Sequence, residues 1–186
     1  VASFEANIEP INDEVYFWYG RICPEKGTHL AMQYCQVAGK RLIIAGPESN
    51  KEYFDKEVAP LLAADANKAN EKSLFTYVGH LSKDQINNYL CQSTAMLFTS
   101  TWDEPYGLTL AESLACGTPV IGFNVGAAAE IITDETGIII DKCDKQAFVA
   151  AFDTIETISR TACRQRADQF CSVAAMVGGY LELYRQ

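Results

Sequence analysis

Short runs of β-branched and aromatic residues alternate along this chain with longer stretches in which apolar residues recur at helical spacing. Nearly every position in the short runs is apolar, which is typical of strands buried on both faces of a parallel sheet. The predicted strands cover residues 14–19, 41–45, 74–78, 95–99, 119–123 and 137–141. The stretches between them predict helices over residues 28–37, 51–66, 83–93, 107–116 and 127–132.

This alternation predicts an α/β fold, a doubly wound Rossmann-like domain with helices on both faces of a mainly parallel six-stranded sheet. Ser82 and Gln85 match a capping box at a helix start, and Pro60 predicts a kink or restart within residues 51–66. After Asp144 the pattern is helical, and Ser172 is placed to cap a final helix. We expect that helix to dock its apolar face on the domain. The 186 residues are expected to form one domain, 1–186.

Composition narrows the classes of partner. The net charge of −9 argues against a nucleic-acid surface, because phosphate backbones attract clustered Lys and Arg. No run approaches the ~20 apolar residues of a membrane span. The opening VASFEANIEP lacks the basic and apolar parts of a signal peptide. Seven cysteines without CxxC spacing, with only two histidines, argue against zinc and indicate reduced, mostly buried thiols. We therefore expect a cytoplasmic protein.

The loop after the first predicted strand carries two cations. Its sequence GRICPEKG places Arg21 and Lys26 at the carboxyl edge of the sheet, where ligands of doubly wound folds bind. An arginine fork and a lysine point charge can clamp a diphosphate there. The alternative is that both are solvated surface charges.

A second stretch, WDEPYGLTLAES, places Gly107 at a predicted helix start, where unpaired N–H groups and the helix dipole favour an anion. Glu104 and Glu112 would lie about 12 Å apart along a helix, too far for the carboxyl pair of a retaining hydrolase. We expect them to contact different parts of one ligand, Glu112 the ribose hydroxyls and Glu104 a sugar. Each of these residues also has an interpretation that needs no ligand. Asp103 could cap the helix, Glu112 could be a partly exposed helical residue, and His80 could be structural.

The chain resembles the C-terminal, nucleotide-binding domain of family 4 retaining glycosyltransferases, which have the GT-B architecture. The likeness rests on GRICPEKG, AGP, YVGHL, WDEPYGLTLAESLACGTPVIGF and GAAAEII, in that order, and covers about residues 14–141. The closing stretch RADQFCSVAAMVGGYLELYRQ is also similar. The resemblance implies transfer of a sugar from a UDP-sugar or GDP-sugar, with UDP expected, to an acceptor hydroxyl. It further implies retained configuration and no metal or cofactor.

The resemblance also implies roles for individual positions. The diphosphate would be held by Arg21 and Lys26, the transferred sugar by Glu104 and the ribose by Glu112, with Glu104, Arg21 and Lys26 as the catalytic set. The backbone N–H groups at the helix start would bind phosphate, at Gly107, Leu108 and Thr109. The wall of the nucleobase site would be formed by Gly46, Val78 and Leu81.

The acceptor site of such enzymes belongs to an N-terminal domain for which this chain has no room. We therefore expect the chain alone to bind donor and to transfer sugar poorly. The acceptor, a glycan, a lipid or a small molecule, stays open. So do three other readings: a nucleotide-sugar epimerase, a non-catalytic nucleotide-sugar-binding module and a flavodoxin-like domain.

Overall fold

The computed structural model describes residues 4–7, 14–67 and 72–185. Within them, six strands form one sheet in which every pair is parallel. The strands are β1 (Tyr16–Tyr19), β2 (Leu42–Ala45), β3 (Phe75–Tyr77), β4 (Ala95–Phe98), β5 (Val120–Phe123) and β6 (Gly137–Ile140). All six predicted strands are confirmed, each slightly shorter than its apolar run.

The strand order is β3-β2-β1-β4-β5-β6. The first three strands extend the sheet in one direction, and the chain then crosses back so that β4 pairs with the free side of β1. Tyr16 of β1 lies opposite Leu42 on one side and opposite Ala95 on the other. This is the doubly wound order of dinucleotide-binding folds, which confirms the predicted fold class.

Helices fill the connections and the closing part of the chain. They are α1 (Thr28–Ala38), α2 (Lys51–Tyr53), α3 (Ala59–Ala66), α4 (Lys83–Gln92), α5 (Leu108–Ala115), α6 (Ala128–Ile131), α7 (Lys145–Ala151), α8 (Arg160–Phe170) and α9 (Val173–Tyr184). Short 3₁₀ turns cover Pro24–Lys26 and Ile155–Thr157, and a π-helical segment, Phe54–Val58, joins α2 to α3.

The local signals at the helix ends are confirmed. Ser82 accepts a hydrogen bond from the Gln85 amide, and the Gln85 side chain accepts one from the Ser82 amide, so the capping box is complete. Ser172 caps α9 through the amide of Ala175 at 3.1 Å. The helix over residues 51–66 changes its winding just before Pro60, in agreement with the expected restart.

The expected docking of α9 is wrong. Within the described residues, no side chain of α9 is buried. Val173 is 63% exposed, Met176 55% and Tyr180 55%, although they recur at helical spacing. The periodicity correctly indicated a helix with an apolar face, but no described part of this chain covers that face.

The core lies on both faces of the sheet and continues into the helices. Phe17, Leu97 and Ile121, on three adjacent strands, are completely or almost completely buried. On one face, Phe123 packs edge-on against Phe148 of α7, with ring centroids 5.5 Å apart. In the part of the chain that the structure describes, no helix is both long enough and apolar enough to span a bilayer.

Candidate functional site

The strand order fixes where a ligand can enter. Because connections leave β1 and β4 toward opposite faces of the sheet, a crevice opens between the loops that follow these two strands. The loop after β1 covers residues 20–27 and carries Arg21 and Lys26, and the loop after β4 covers residues 99–107 and carries Glu104. The topology therefore brings together two motifs that are far apart in sequence.

The two loops are bound to each other through the backbone. The Thr101 amide donates to the carbonyl of Glu25 at 2.8 Å, and the Thr99 hydroxyl donates to the carbonyl of Gly27 at 2.8 Å. A Cβ on Gly27 would lie 2.2 Å from the Thr99 carbonyl oxygen, and Gly27 has a positive φ of 65°. Only glycine fits this contact, so the crevice has a rigid floor.

Lys26 and Glu104 form an ion pair across the crevice. Their side chains are only 23% and 18% exposed, and the Ser100 hydroxyl lies 3.4 Å from the same oxygen of Glu104. An ammonium group carries three N–H donors, so Lys26 can hold Glu104 and still donate to an anion. The structure thus joins the residue predicted to hold the diphosphate to the residue predicted to contact the sugar.

Arg21 lies at the rim of the crevice. Its side chain is 62% exposed and its guanidinium is 3.8 Å from the Glu25 carboxylate. Burial, followed by the positive charge of Arg21, lowers the pKa of Lys26, while the contact with Glu104 favours its charged form. Exposed ion pairs contribute at most about 1 kcal/mol, so Arg21 is readily released from Glu25. Lys26 points into the crevice, whereas Arg21 faces solvent beside it.

Glu112 has a different partner, which the sequence did not indicate. The hydroxyl of Tyr19, the last residue of β1, donates to Glu112 at 2.8 Å and lies 3.2 Å from the Thr109 carbonyl oxygen. Burial, and then the charge of Glu112, raise the pKa of Tyr19 well above its usual value. Tyr19 therefore remains a proton donor that orients Glu112 in its half-buried position.

The start of α5 faces the same crevice. Gly107 precedes the helix with a positive φ of 79°, and no side chain caps the helix. Lys26, Gly20 and Thr109 line one small cavity of about 40 Å³, which places Lys26 next to the first turn of α5. Leu108, the first residue of α5, is 66% exposed. An anion held here would face both Lys26 and the positive end of the helix.

The predicted base-binding positions lie on the neighbouring loops. Gly46 follows β2 and is buried, Val78 follows β3 and is half-buried, and Leu81 packs into the core. The Gly46 amide donates to the Gly79 carbonyl at 2.7 Å, so the loops after β2 and β3 are tied together. His80 is exposed beside them.

Asp103 does not cap α5. Its carboxylate accepts a hydrogen bond from the Gly126 amide at 3.1 Å, and the Ala127 amide donates to the Glu104 carbonyl at 3.0 Å. A Cβ on Gly126 would lie 2.2 Å from the Glu104 carbonyl oxygen. The proposed capping role is wrong because the carboxylate bonds across to the loop after β5 and fixes the backbone of Glu104 from outside the crevice.

A family model for glycosyl transferases group 1 matches residues 2–170. The chain belongs to this family. Among curated relatives, the putative glycosyltransferase YtcC of Bacillus subtilis is 29% identical over 147 residues, which covers 75% of this chain and 36% of that protein. The chain spans about a third of the length of the curated relatives it matches.

Solved structures of glycosyltransferases share the fold of this group 1 family member. AviGT4, a glycosyltransferase involved in avilamycin A biosynthesis, superposes with a TM-score of 0.79 at 24% identity, over 99% of this chain and 55% of that one. HepE from Anabaena, solved in complex with UDP and glucose, gives a TM-score of 0.75 at 19% identity, over 94% of this chain and 48% of that one. At these identities the likeness shows the fold alone.

The metal independence expected of this group 1 chain stays a prediction. Among the described residues, no group of three or more His, Cys, Asp or Glu side chains is arranged to hold a metal ion. His29, which lies near the crevice, has its Nδ1 atom 2.6 Å from the Tyr53 hydroxyl, so its described contact is with another side chain.

Replacing Tyr19 by phenylalanine is expected to weaken binding of UDP to this group 1 chain roughly tenfold, because a hydrogen bond to a charged group contributes about 1.5–3 kcal/mol. Without its donor, Glu112 loses its fixed orientation. Calorimetry with UDP measures the change. Tyr184→Phe, at a residue that is 83% exposed in α9, is the control. Equal affinities in the two variants would show that Tyr19 does not position Glu112 for this ligand.

Proposed function

We propose that this chain is the donor-binding part of a retaining glycosyltransferase that takes its sugar from a nucleoside diphosphate, UDP in the first place. The observation that carries the proposal is the Lys26–Glu104 ion pair beside the uncapped start of α5, at the reversal of strand order. This arrangement combines a cation, a helix dipole and a carboxylate in one crevice. A sugar joined to a diphosphate presents the complementary charges and hydroxyls.

The departing diphosphate develops negative charge as its bond to the sugar breaks, so groups that stabilise this charge accelerate transfer. Lys26 and the N–H groups of Gly107, Leu108 and Thr109 would supply this stabilisation in place of a metal ion. Arg21, at the rim, would add its fork once it leaves Glu25. The helix start contributes about 0.3–2 kcal/mol, so the two side-chain cations must supply the larger part.

The two glutamates divide the recognition of the donor. Glu112, oriented by Tyr19, would accept hydrogen bonds from the ribose hydroxyls. Glu104, held by Lys26 and Ser100, would contact the sugar that is transferred. Gly46, Val78 and Leu81 would line the base through their backbone, since they follow the strands on the β2 and β3 side of the crevice.

The proposed reaction needs a second part that accepts the sugar. The chain covers only about a third of its curated relatives and about half of the solved structures it matches. We propose that an N-terminal domain of the whole enzyme binds the acceptor, and that this chain alone binds donor with little transfer. HepE, which shares the fold, was solved with UDP and glucose, and UDP is the nucleotide we propose for this chain. The free cysteines are in keeping with a cytoplasmic location.

A thermal-unfolding series with UDP, GDP and flavin mononucleotide tests the proposal. UDP at a hundred times its dissociation constant is expected to stabilise the chain by about 2.7 kcal/mol. Flavin mononucleotide is expected to leave the unfolding temperature unchanged. Stabilisation by flavin but by neither nucleotide would exclude the proposed function, and stabilisation by GDP alone would correct the base.

A variant separates ribose binding from phosphate binding in the same assay. Glu112→Gln is expected to weaken the stabilisation by UDP while leaving that by inorganic pyrophosphate unchanged, because pyrophosphate has no ribose. A matched loss for both ligands would place Glu112 in the phosphate site instead.

A further inference from the structure

Two thiols meet at the edge of the sheet opposite the crevice. Cys91 lies in the last turn of α4, and Cys116 is the residue that ends α5. Helices that follow parallel strands end at the amino edge of the sheet, so both thiols lie far from the phosphate-binding end of α5. The candidate site does not use them.

The two sulfur atoms share one side chain. The Asn87 amide group donates to Cys91 Sγ at 3.7 Å, and the Cys116 thiol donates to the Asn87 oxygen at 3.5 Å. The Cys116 thiol has one proton, which goes to Asn87 here and to the Cys91 sulfur when that sulfur is ionised. The Cys91 thiol donates to the carbonyl oxygen of Glu5 at 3.2 Å, in the short described segment before β1. Cys91 is half-buried and Cys116 is buried, so small solutes reach the pair through Cys91.

A half-buried arginine supplies positive charge beside this pair. The Arg160 guanidinium donates to the carbonyls of Cys91 at 3.2 Å and Ser93 at 2.9 Å, and to the Thr118 hydroxyl at 2.9 Å. These bonds fix a cation at the end of α4, next to Cys91. Positive charge and hydrogen-bond donors are the surroundings that favour a thiolate.

Neighbouring groups both raise and lower the pKa of the Cys91 thiol. The hydrogen bond from Cys116 lowers the pKa of the Cys91 thiol to about 7, against the effect of burial, and the Asn7 amide and Arg160 assist while Glu5 opposes. The pKa of Cys116 is strongly raised, first by its contact with Cys91 and then by burial. Cys91 is thus the more acidic of the two thiols, and Cys116 keeps its proton.

The other cysteines lack this arrangement. Burial raises the pKa of Cys163 to about 12 and that of Cys35 further, so both remain protonated and serve as small apolar core residues. Cys143 is exposed in the turn after β6. It gives a matched surface thiol in the same chain.

We propose that Cys91 and Cys116 form a redox-active pair that a small hydroperoxide converts into an intramolecular disulfide. The Cys91 thiolate attacks the terminal peroxide oxygen, the O–O bond breaks, and the alkoxide leaves as an alcohol after taking up a proton. The Cys116 thiol then attacks the resulting sulfenic sulfur. The S–S bond forms, and hydroxide leaves as water with the Cys116 proton. In all, two thiols and one hydroperoxide give one disulfide, one alcohol and one water.

The order of the two steps follows from the charges. The largest cause of the raised pKa of Cys116 is its contact with Cys91, and conversion of Cys91 to a neutral sulfenic acid removes the negative charge there. Cys116 then loses its proton more easily and becomes the resolving thiol. The disulfide would enclose residues 91–116, which include β4, the Glu104 loop and α5. The inference does not depend on the proposed sugar transfer.

Hydrogen peroxide and mass spectrometry test the pair directly. The protein is expected to lose about 2 Da on treatment, and a thiol reductant is expected to restore its mass. Trypsin leaves both cysteines in one peptide, because no Lys or Arg lies between residues 84 and 141. Chymotrypsin, which cuts after Phe98, Trp102 and Tyr106, is then expected to yield two peptides joined through Cys91 and Cys116.

Serine variants assign the roles. Cys116→Ser is expected to stop at a sulfenic acid on Cys91 that dimedone traps, Cys91→Ser is expected to form no disulfide, and Cys143→Ser is expected to behave as the parent does. A disulfide that includes Cys143, a stable sulfenic acid on Cys91 in the unsubstituted protein, or an unchanged mass would each overturn the proposal.

The pH dependence of alkylation provides a measurement on the unsubstituted protein. The rate at Cys91 is expected to rise with a midpoint near pH 7 as the thiolate forms. In Cys116→Ala the midpoint is expected to move to higher pH, because alanine has no group that can donate to Cys91. A Cys91 rate that follows the same profile as Cys143 would contradict the proposed activation.

Discussion

Replacing Lys26 by methionine is expected to weaken UDP binding roughly a hundredfold, because removal of one partner of a buried charge pair costs about 2–5 kcal/mol. Methionine keeps the apolar stem of lysine, so the loop packing is retained while the charge is lost. The variant also leaves the Glu104 carboxylate without its cation, next to the proposed position of the phosphates. Calorimetry with UDP measures the loss.

Lys40→Met is the matched control. Lys40 forms an ion pair with Glu14 in which the lysine side chain is 22% exposed, close to the 23% of Lys26. Glu14 lies two residues before β1, at the amino edge of the sheet, which is opposite the crevice. This variant is expected to lose similar stability but no affinity. If both variants bind UDP as the parent does, Lys26 is a structural ion-pair partner only and the diphosphate site lies elsewhere.

Replacing Gly46 by alanine is expected to destabilise the protein by about 4 kcal/mol or more, a loss large enough to prevent folding. The new Cβ would lie 1.7 Å from the carbonyl oxygen of Gly20, and Gly46 has a φ of 143°. The clash is between two backbone segments, which cannot move aside as a side chain can. Gly46 also donates to Gly79 and accepts from the Tyr77 hydroxyl, so any shift breaks further bonds.

Gly39→Ala separates the clash from the backbone conformation. Gly39 has a positive φ of 67°, but no atom lies within 4 Å of the position of its Cβ. The variant is therefore expected to lose only about 1 kcal/mol. Urea unfolding followed by circular dichroism compares the two. Equal losses would show that the loops after β1 and β2 are not in the close contact that the structure gives them.

The strands and most helices were predictable because their signals are local. Continuous apolar runs fixed all six strands, and the capping box at Ser82 and the cap at Ser172 fixed two helix starts. The predicted starts of β1 and β2, at Glu14 and Arg41, were too early, since the strands begin at Tyr16 and Leu42. Pairing in the sheet depends on a partner strand, and neither residue pairs in the register of β1 with β2.

The contacts that build the site were not predictable in the same way. Lys26 and Glu104 are 78 positions apart, and Tyr19 and Glu112 are 93 apart. Their meeting depends on β4 pairing with β1, which no local pattern specifies. The sequence predicted roles for Lys26, Glu104 and Glu112 from their positions after strands and within a helix, and these roles stay predictions. Tyr19 was missed because an aromatic residue that ends a strand usually belongs to the core.

For the closing helix, α9, the element was predicted correctly but its packing was not. Its cap and its apolar spacing correctly indicated a helix, but periodicity shows only that a face is apolar and not what covers it. Val173, Met176 and Tyr180 remain exposed in the described chain. Prediction from the sequence was therefore reliable for the type of element and unreliable for its packing.

The contact of the Glu104 loop with the loop after β5 limits how this scaffold can be redesigned. Gly126 can only be a glycine because the Glu104 carbonyl occupies the space of a side chain, and the Asp103 carboxylate receives the Gly126 amide. If residues 101–106 were moved into another protein alone, they would lack the loop after β5 that holds their backbone in place. Exchange of residues 101–106 in this chain therefore requires exchange of residues 124–127 with them, as one unit.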